Sequence, residues 1–186
     1  MPGGSKKNDR EETPSVLIID SQSVKSDSWA EDVGYDAGKK IKGIKRHVVV
    51  DVLGLLMGIV VHSAGIQDRD GAKILLPRVH DSKRFPRVEV VFADGGYAGQ
   101  LIDWTLDQTG WRLEIVKRSD LHAFKVLPKR WLVERTFGWL MFWRILNRHH
   151  ERKHDTAENL LRIVMIRNML RFLTGEHQIA KRKKAA

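Results

Sequence analysis

Apolar positions along the chain gather into short blocks, and the spacing inside each block separates strands from helices. Residues 15–20 form a continuous apolar run closed by Asp20, the pattern of a strand buried on both faces. Residues 21–42 carry Ser, Asp and Gly with little periodicity and read as a loop. Residues 46–52 and 55–62 are β-branched runs on either side of Leu53-Gly54, which predicts a hairpin. An amphipathic helix then runs through Ile74, Leu75, Leu76 and Val79, with Asp68 or Asp70 as its cap and Pro77 kinking it or ending its first part. Residues 88–93 form another buried strand that ends in Asp94-Gly95-Gly96. Residues 97–108 read as a helix stopped at Gly110, residues 111–116 as a strand, and residues 117–129 as a basic loop. Two long helices close the chain, 130–149 and 156–173, joined by a polar segment.

This order predicts an α/β domain: a mixed sheet with helices on its faces. Residues 1–13 are polar and read as a flexible leader, 14–174 as one catalytic-sized domain, and 175–186 as a basic tail. At 186 residues and 42% hydrophobic the chain can bury a real core, so global disorder is excluded. The absence of cysteine excludes disulfides and thiolate metal sites. No apolar run reaches the length of a membrane span, and the N-terminus lacks the apolar centre of a signal peptide.

Charge narrows the partner. The chain carries 33 basic against 23 acidic residues, a net +10. Five cations, Lys39, Lys40, Lys42, Lys45 and Arg46, fall within eight residues. A second excess spans 117–153, and a third closes the tail at 181–184. Three separated blocks point to nucleic acid, with the lysines and arginines as phosphate contacts rather than base readers.

Three carboxylates stand out. Asp20 and Asp94 each close a predicted buried strand, and parallel neighbours would bring both to one edge of the sheet. A cap on the following turn is the other reading of Asp94. Glu134 sits in an apolar helix with Trp131, Leu132, Val133, Phe137, Trp139 and Leu140 around it. A carboxylate embedded there needs a cation, either a metal or Arg130 one turn earlier, which could also align it from behind. An all-oxygen set suits a hard ion such as Mg²⁺ or Mn²⁺, and two such ions can promote in-line phosphoryl displacement. Basic blocks beside such a site point to phosphodiester chemistry.

Four segments carry a family resemblance. They are residues 16–25 around Asp20, Gly38 to His47, Phe92-Ala93-Asp94-Gly95-Gly96-Tyr97, and residues 131–140 around Glu134. In this order they resemble the DDE transposases of bacterial insertion sequences, in the insertion-sequence four/five superfamily and its "five" branch. The resemblance implies a ribonuclease-H-like fold, Asp20, Asp94 and Glu134 as catalytic and metal-binding residues, and two Mg²⁺ or Mn²⁺ ions. It implies endonucleolytic strand cleavage at transposon ends, then joining of the 3′-OH to target DNA. The implied partners are double-stranded DNA at transposon ends and target, and a second copy in a homodimer; the implied location is the bacterial cytoplasm, at the nucleoid.

The family signature places Tyr, Arg, Glu and Lys around this glutamate. Arg130 and Glu134 fit, whereas Leu127 and Met141 occupy the Tyr and Lys positions, with Arg144 as the candidate replacement cation. Lys129, Arg130, Arg135 and Arg144 join the phosphate-contact candidates. Only a short leader precedes Asp20, so the chain resembles the second reading frame of a two-frame element, with an upstream-frame product supplying end recognition, or a truncated copy. The alternative function is a non-catalytic DNA-binding remnant. Asp51, Asp68 and Asp70 read as turn and cap residues, and His47 and His62 as sheet histidines that meet across the hairpin. Trp139 and Trp143 read as core, and the histidines at 149, 150 and 154 lack the spacing of a zinc site.

Overall fold

A computed structural model describes residues 11–116 and 130–174, with Arg130 defined by its backbone alone. The sheet is built outward from β1 (Val16–Lys25), which pairs antiparallel with β3 (Ile41–Val50) and parallel with β5 (Val90–Ala93). Beyond β5 lies β6 (Arg112–Ile115), also parallel. On the other side, β3 pairs with β4 (Leu56–Ser63) over most of its length and with the short β2 (Gly34–Asp36) at its start. Antiparallel pairing thus gives way to parallel pairing at β1, as the mixed-sheet reading expects.

Two helical layers cover the sheet. One face packs Leu17, Ile19, Val49 and Val91 against α1 (Asp68–Asp81) and α2 (Leu101–Thr109). The other packs Ile18, Val24, Ile44 and Val48 against α3 (Arg130–Met141) and α4 (His154–Leu173). Strand alternation does the sorting, since neighbouring residues point to opposite faces. Buried Glu158 fastens α4 to the sheet, accepting the Val61 N–H at 3.0 Å while pairing with Arg162 at 2.8 Å.

Several sequence expectations are corrected. β1 runs on through Lys25, so Asp20 lies in mid-strand and residues 21–25 are not loop. β2, inside that supposed loop, has no periodic signal. α1 continues through Pro77 without a break. The expected helix from 97 is a 3-10 turn at Gly95–Tyr97 followed by α2, which stops at Gly110 with φ of 72° as expected. The helix expected over 130–149 ends at Met141, and a 3-10 turn at Arg144–Leu146 leads toward α4.

Candidate active site

Asp20 and Asp94 emerge side by side. The parallel register sets Ile18 opposite Phe92, and two residues further along each strand path stand Asp20 and Asp94. Ile18 and Phe92 face the α3/α4 layer, so period-two alternation sends both carboxylates to that same side. The two line one small cleft with Ile18, Phe92, Ala93 and Val116. Local bonds hold each carboxylate. Asp20 Oδ1 accepts the Ser21 N–H at 2.7 Å, and Asp94 Oδ1 accepts the Gly96 N–H at 2.8 Å. Asp94 therefore caps the 3-10 turn as well, and the cap reading and the site reading are compatible.

Gly96 serves the site through the space it leaves rather than through a left-handed backbone. Among the described residues the positive-φ glycines are Gly54, Gly99 and Gly110. A Cβ on Gly96 would lie 3.0 Å from Asp94 Oδ1 and 3.5 Å from Asp68 Oδ2, so Gly96 is needed for space. Next to it Tyr97 is fully buried, its ring edge-on to His47 at 5.9 Å. Burial, reinforced by Asp20, Asp68 and Asp94 nearby, pushes its hydroxyl well above the ordinary tyrosine range. Three carboxylates thus act on one buried hydroxyl.

Asp68 was expected to cap α1, and it does not. Gln67 holds the cap position without a side-chain bond. Asp68 Oδ1 instead accepts from Ser21 Oγ at 2.8 Å and from Lys45 Nζ at 2.9 Å. Burial works to raise the Asp68 pKa, but the bonds from Lys45 and Ser21 outweigh it and hold the carboxyl below its usual value. Lys45 also lies 3.7 Å from Asp36, which takes the Ser23 hydroxyl. His47 and His62 do meet across the hairpin, Nδ1 to Nε2 at 2.8 Å.

Glu134 comes from α3, which packs on β1 and β3 over the face that carries Asp20 and Asp94. Its side chain is exposed, on the flank of a helix whose Leu132, Val133, Phe137 and Leu140 are buried. The embedded carboxylate expected from composition is thus corrected: one stripe of α3 takes the apolar burial, and Glu134 lies beside it. Among the described residues no three His, Cys, Asp or Glu side chains are gathered as a metal site. The structure brings Asp20 and Asp94 together and sets Glu134 on the same side of the sheet. The Lys129 and Arg130 side chains, and the Arg130–Glu134 pair, lie outside the described residues.

The basic block divides. Lys39, Lys40 and Lys42 are exposed. Lys45 and Arg46 are 4% and 1% exposed, which removes both from the candidate DNA-facing set. Arg46 Nη1 donates to the Leu146 carbonyl at 2.7 Å, and burial lowers its pKa to about 10. Arg135 is engaged as well: its guanidinium lies 4.7 Å from the Trp131 and Trp139 rings and donates to the Leu53 carbonyl. Arg144 is exposed but follows the end of α3, so it does not share a helical face with Met141.

Comparison with known proteins places this geometry. Residues 11–169 match the family described as Transposase DDE domain. A curated relative from Burkholderia cepacia, "Putative transposase for insertion sequence element IS402", is 30% identical over 126 residues, covering 65% of this chain and 60% of that protein. The chain therefore spans about three fifths of that relative's length. Among solved structures, the simian T-cell lymphotropic virus intasome in complex with PP2A regulatory subunit B56 gamma aligns with a TM-score of 0.51 at 18% identity, over 89% of this chain and 51% of that one. The catalytic core domain of BIV integrase aligns at 0.46 and 11% identity, over 82% and 81%. The fold is ribonuclease-H-like, a mixed sheet flanked by helices.

Proposed function

The chain belongs to the DDE transposase family, and from that premise we propose that it is the catalytic domain of an insertion-sequence transposase, one that cuts DNA at transposon ends and joins the freed 3′-OH to target DNA. The observation that carries this reading is the placement of Asp20 and Asp94 at adjacent positions on parallel neighbours, beneath the helix that bears Glu134.

The donors are all carboxylate oxygens, which fits a hard divalent cation such as Mg²⁺ or Mn²⁺. Asp20 and Asp94 would hold it, with Glu134 as the third ligand. When bound, the ion lowers the pKa of an attacking water and stabilises charge on the leaving oxygen. The chain's own part is to fix these carboxylates. The Ser21 and Gly96 amides orient the two aspartates, and the α3 packing sets the height of Glu134 above them. Exposed Lys39, Lys40 and Lys42 supply sequence-independent phosphate contacts to double-stranded DNA. Pairing of two ends calls for a homodimer, and end recognition by an upstream-frame product and membership of the "five" branch belong to the same reading, as does work at the nucleoid. Among the described residues no helix is long and apolar enough to cross a membrane.

The test is Mg²⁺-dependent cleavage and strand transfer with DNA carrying the ends of the encoding element. Asp20→Ala, Asp94→Ala and Glu134→Ala should each abolish both steps and leave DNA binding intact. Near-wild-type cleavage by any one of them removes that residue from the triad. An inert wild-type protein that binds DNA with strong salt dependence would favour the non-catalytic remnant.

A further inference from the structure

We infer that Asp68 is a positioning residue for the Asp20 carboxylate, acting through Ser21 from the opposite face of the sheet with Lys45 as its counterion. This rests on the proposed function. Strand alternation puts Asp20 on the α3 side of β1 and Ser21 on the α1 side. Asp68, at the start of α1, therefore approaches Asp20 from behind through the intervening serine. The chain of contacts is continuous: Lys45 Nζ to Asp68 Oδ1 at 2.9 Å, Ser21 Oγ to the same oxygen at 2.8 Å, and Ser21 N–H to Asp20 Oδ1 at 2.7 Å.

Three further observations separate this from an ordinary surface ion pair. Ser21 and Lys45 are 6% and 4% exposed and the Asp68 side chain 29%, so a half-buried carboxylate is held against a buried lysine and a buried serine, a placement that an ordinary surface pair does not have. Lys45 also donates to the Ile66 carbonyl at 2.8 Å, just before α1 begins, which ties the ammonium to the entry of the helix that carries Asp68. The other Asp68 oxygen faces the turn after β5, since a Cβ on Gly96 would touch both it and Asp94 Oδ1. One carboxylate thus braces the strand of Asp20 and borders the turn of Asp94. Lys45 is its counterion at 2.9 Å and lies 3.7 Å from Asp36 as well.

The experiment compares wild type with Ser21→Ala, Asp68→Ala, Asp68→Asn and the Ser21→Ala/Asp68→Ala double variant. It reads Mn²⁺ binding to the DNA-free protein by electron paramagnetic resonance, Mn²⁺-dependent nicking of supercoiled plasmid, and thermal melting as the check of folding. Asp68→Ala and Ser21→Ala should each weaken Mn²⁺ binding and slow nicking by about tenfold, the scale expected when the support behind a metal ligand is removed. The double variant should be no worse than Asp68→Ala, and Asp68→Asn, which keeps an acceptor for Ser21, should recover part of the loss. A folded Asp68→Ala protein with wild-type metal affinity and rate would overturn the inference, and so would losses that multiply in the double variant. If Asp68→Ala fails to fold, Ser21→Ala decides, because it keeps the Asp68–Lys45 pair: unchanged metal affinity there overturns the inference. Wild-type protein that neither binds Mn²⁺ nor nicks DNA would instead defeat the proposed function, and this inference with it.

Discussion

Arg135 Nη2 donates to the carbonyl of Leu53 at 2.6 Å, joining residues 82 apart, and the neighbouring Thr136 hydroxyl donates to the Gly54 carbonyl at 2.8 Å. The β3–β4 turn is thereby clasped to the helix that presents Glu134. The guanidinium is held in turn by the rings of Trp131 and Trp139. Arg135→Ala should cost about 1–2 kcal/mol, from one charged hydrogen bond and two cation–π contacts. Gly54→Ala should cost a similar amount, because Gly54 has φ of 79° and its added Cβ would stand 3.0 Å from Arg135 and Thr136. Urea unfolding measures both, and a loss of nicking larger than the unfolded fraction explains would show that the clasp also sets the placement of Glu134.

The adjacent glycines at the tip of β5 make a paired test. A Cβ on Gly95 meets nothing within 4 Å, whereas one on Gly96 crowds Asp94 Oδ1 at 3.0 Å. Gly95→Ala should leave nicking within about twofold of wild type, and Gly96→Ala should slow it by roughly tenfold or more with a near-native melting temperature, the scale expected when a supported ligand is displaced. Equal effects in plasmid-nicking assays would refute the role given to Gly96.

Salt dependence separates the two halves of the basic block. Replacing exposed Lys39, Lys40 and Lys42 by Gln should weaken duplex binding for every sequence alike and lower the slope of log K against log salt by about one for each phosphate that is no longer neutralised. Arg46→Gln should act on stability instead, because it disrupts a buried bond to the Leu146 carbonyl at 2.7 Å. Fluorescence anisotropy across a salt series and thermal melting distinguish the outcomes. A folded Arg46→Gln protein with a reduced salt slope would return Arg46 to the DNA surface.

Acid should destabilise the fold through buried imidazoles. Burial, aided by Arg46 and His154, pulls the His149 pKa down to about 4, and burial also lowers those of His47 and His62. A folded pKa below the unfolded value of about 6.5 means that the unfolded chain takes the proton first. The His149 contribution is therefore complete above about pH 6.5 and lost as the pH falls toward 4. His149→Phe should make the slope of unfolding free energy against pH shallower by up to about 1.4 kcal/mol per pH unit in that window. Urea titrations from pH 4.5 to 7.5, on the order of half a unit apart, would reveal an unchanged slope if His149 were charged in the fold.

The sheet and the meeting of Asp20 with Asp94 were legible because a buried apolar block leads into each aspartate, although Asp20 lies in mid-strand rather than at a strand end. The continuation of β1 was not, since Ser21, Gln22 and Ser23 sit in a strand whose buried face is completed by hydrogen-bonded acids rather than by hydrophobes. The same blindness hid Asp68, which a local view assigns to capping because the serine and lysine it serves are remote in the chain. Lys45 and Arg46 looked solvated for a related reason: the Arg46 carbonyl partner lies 100 residues away. Glu134 was assigned to the interior by counting apolar neighbours in the chain, whereas burial is decided by which side of the helix they occupy.

The parallel pairing of β1 with β5 carries a consequence for biogenesis. The first aspartate stays without its companion while three further strands and a helix are made, and α3 arrives only after β6. Under the proposed function, a polypeptide still emerging from the ribosome has no complete set of three carboxylates until α3 is synthesised. On that reading, the order of assembly keeps DNA near the site of translation from meeting a finished centre before α3 is made.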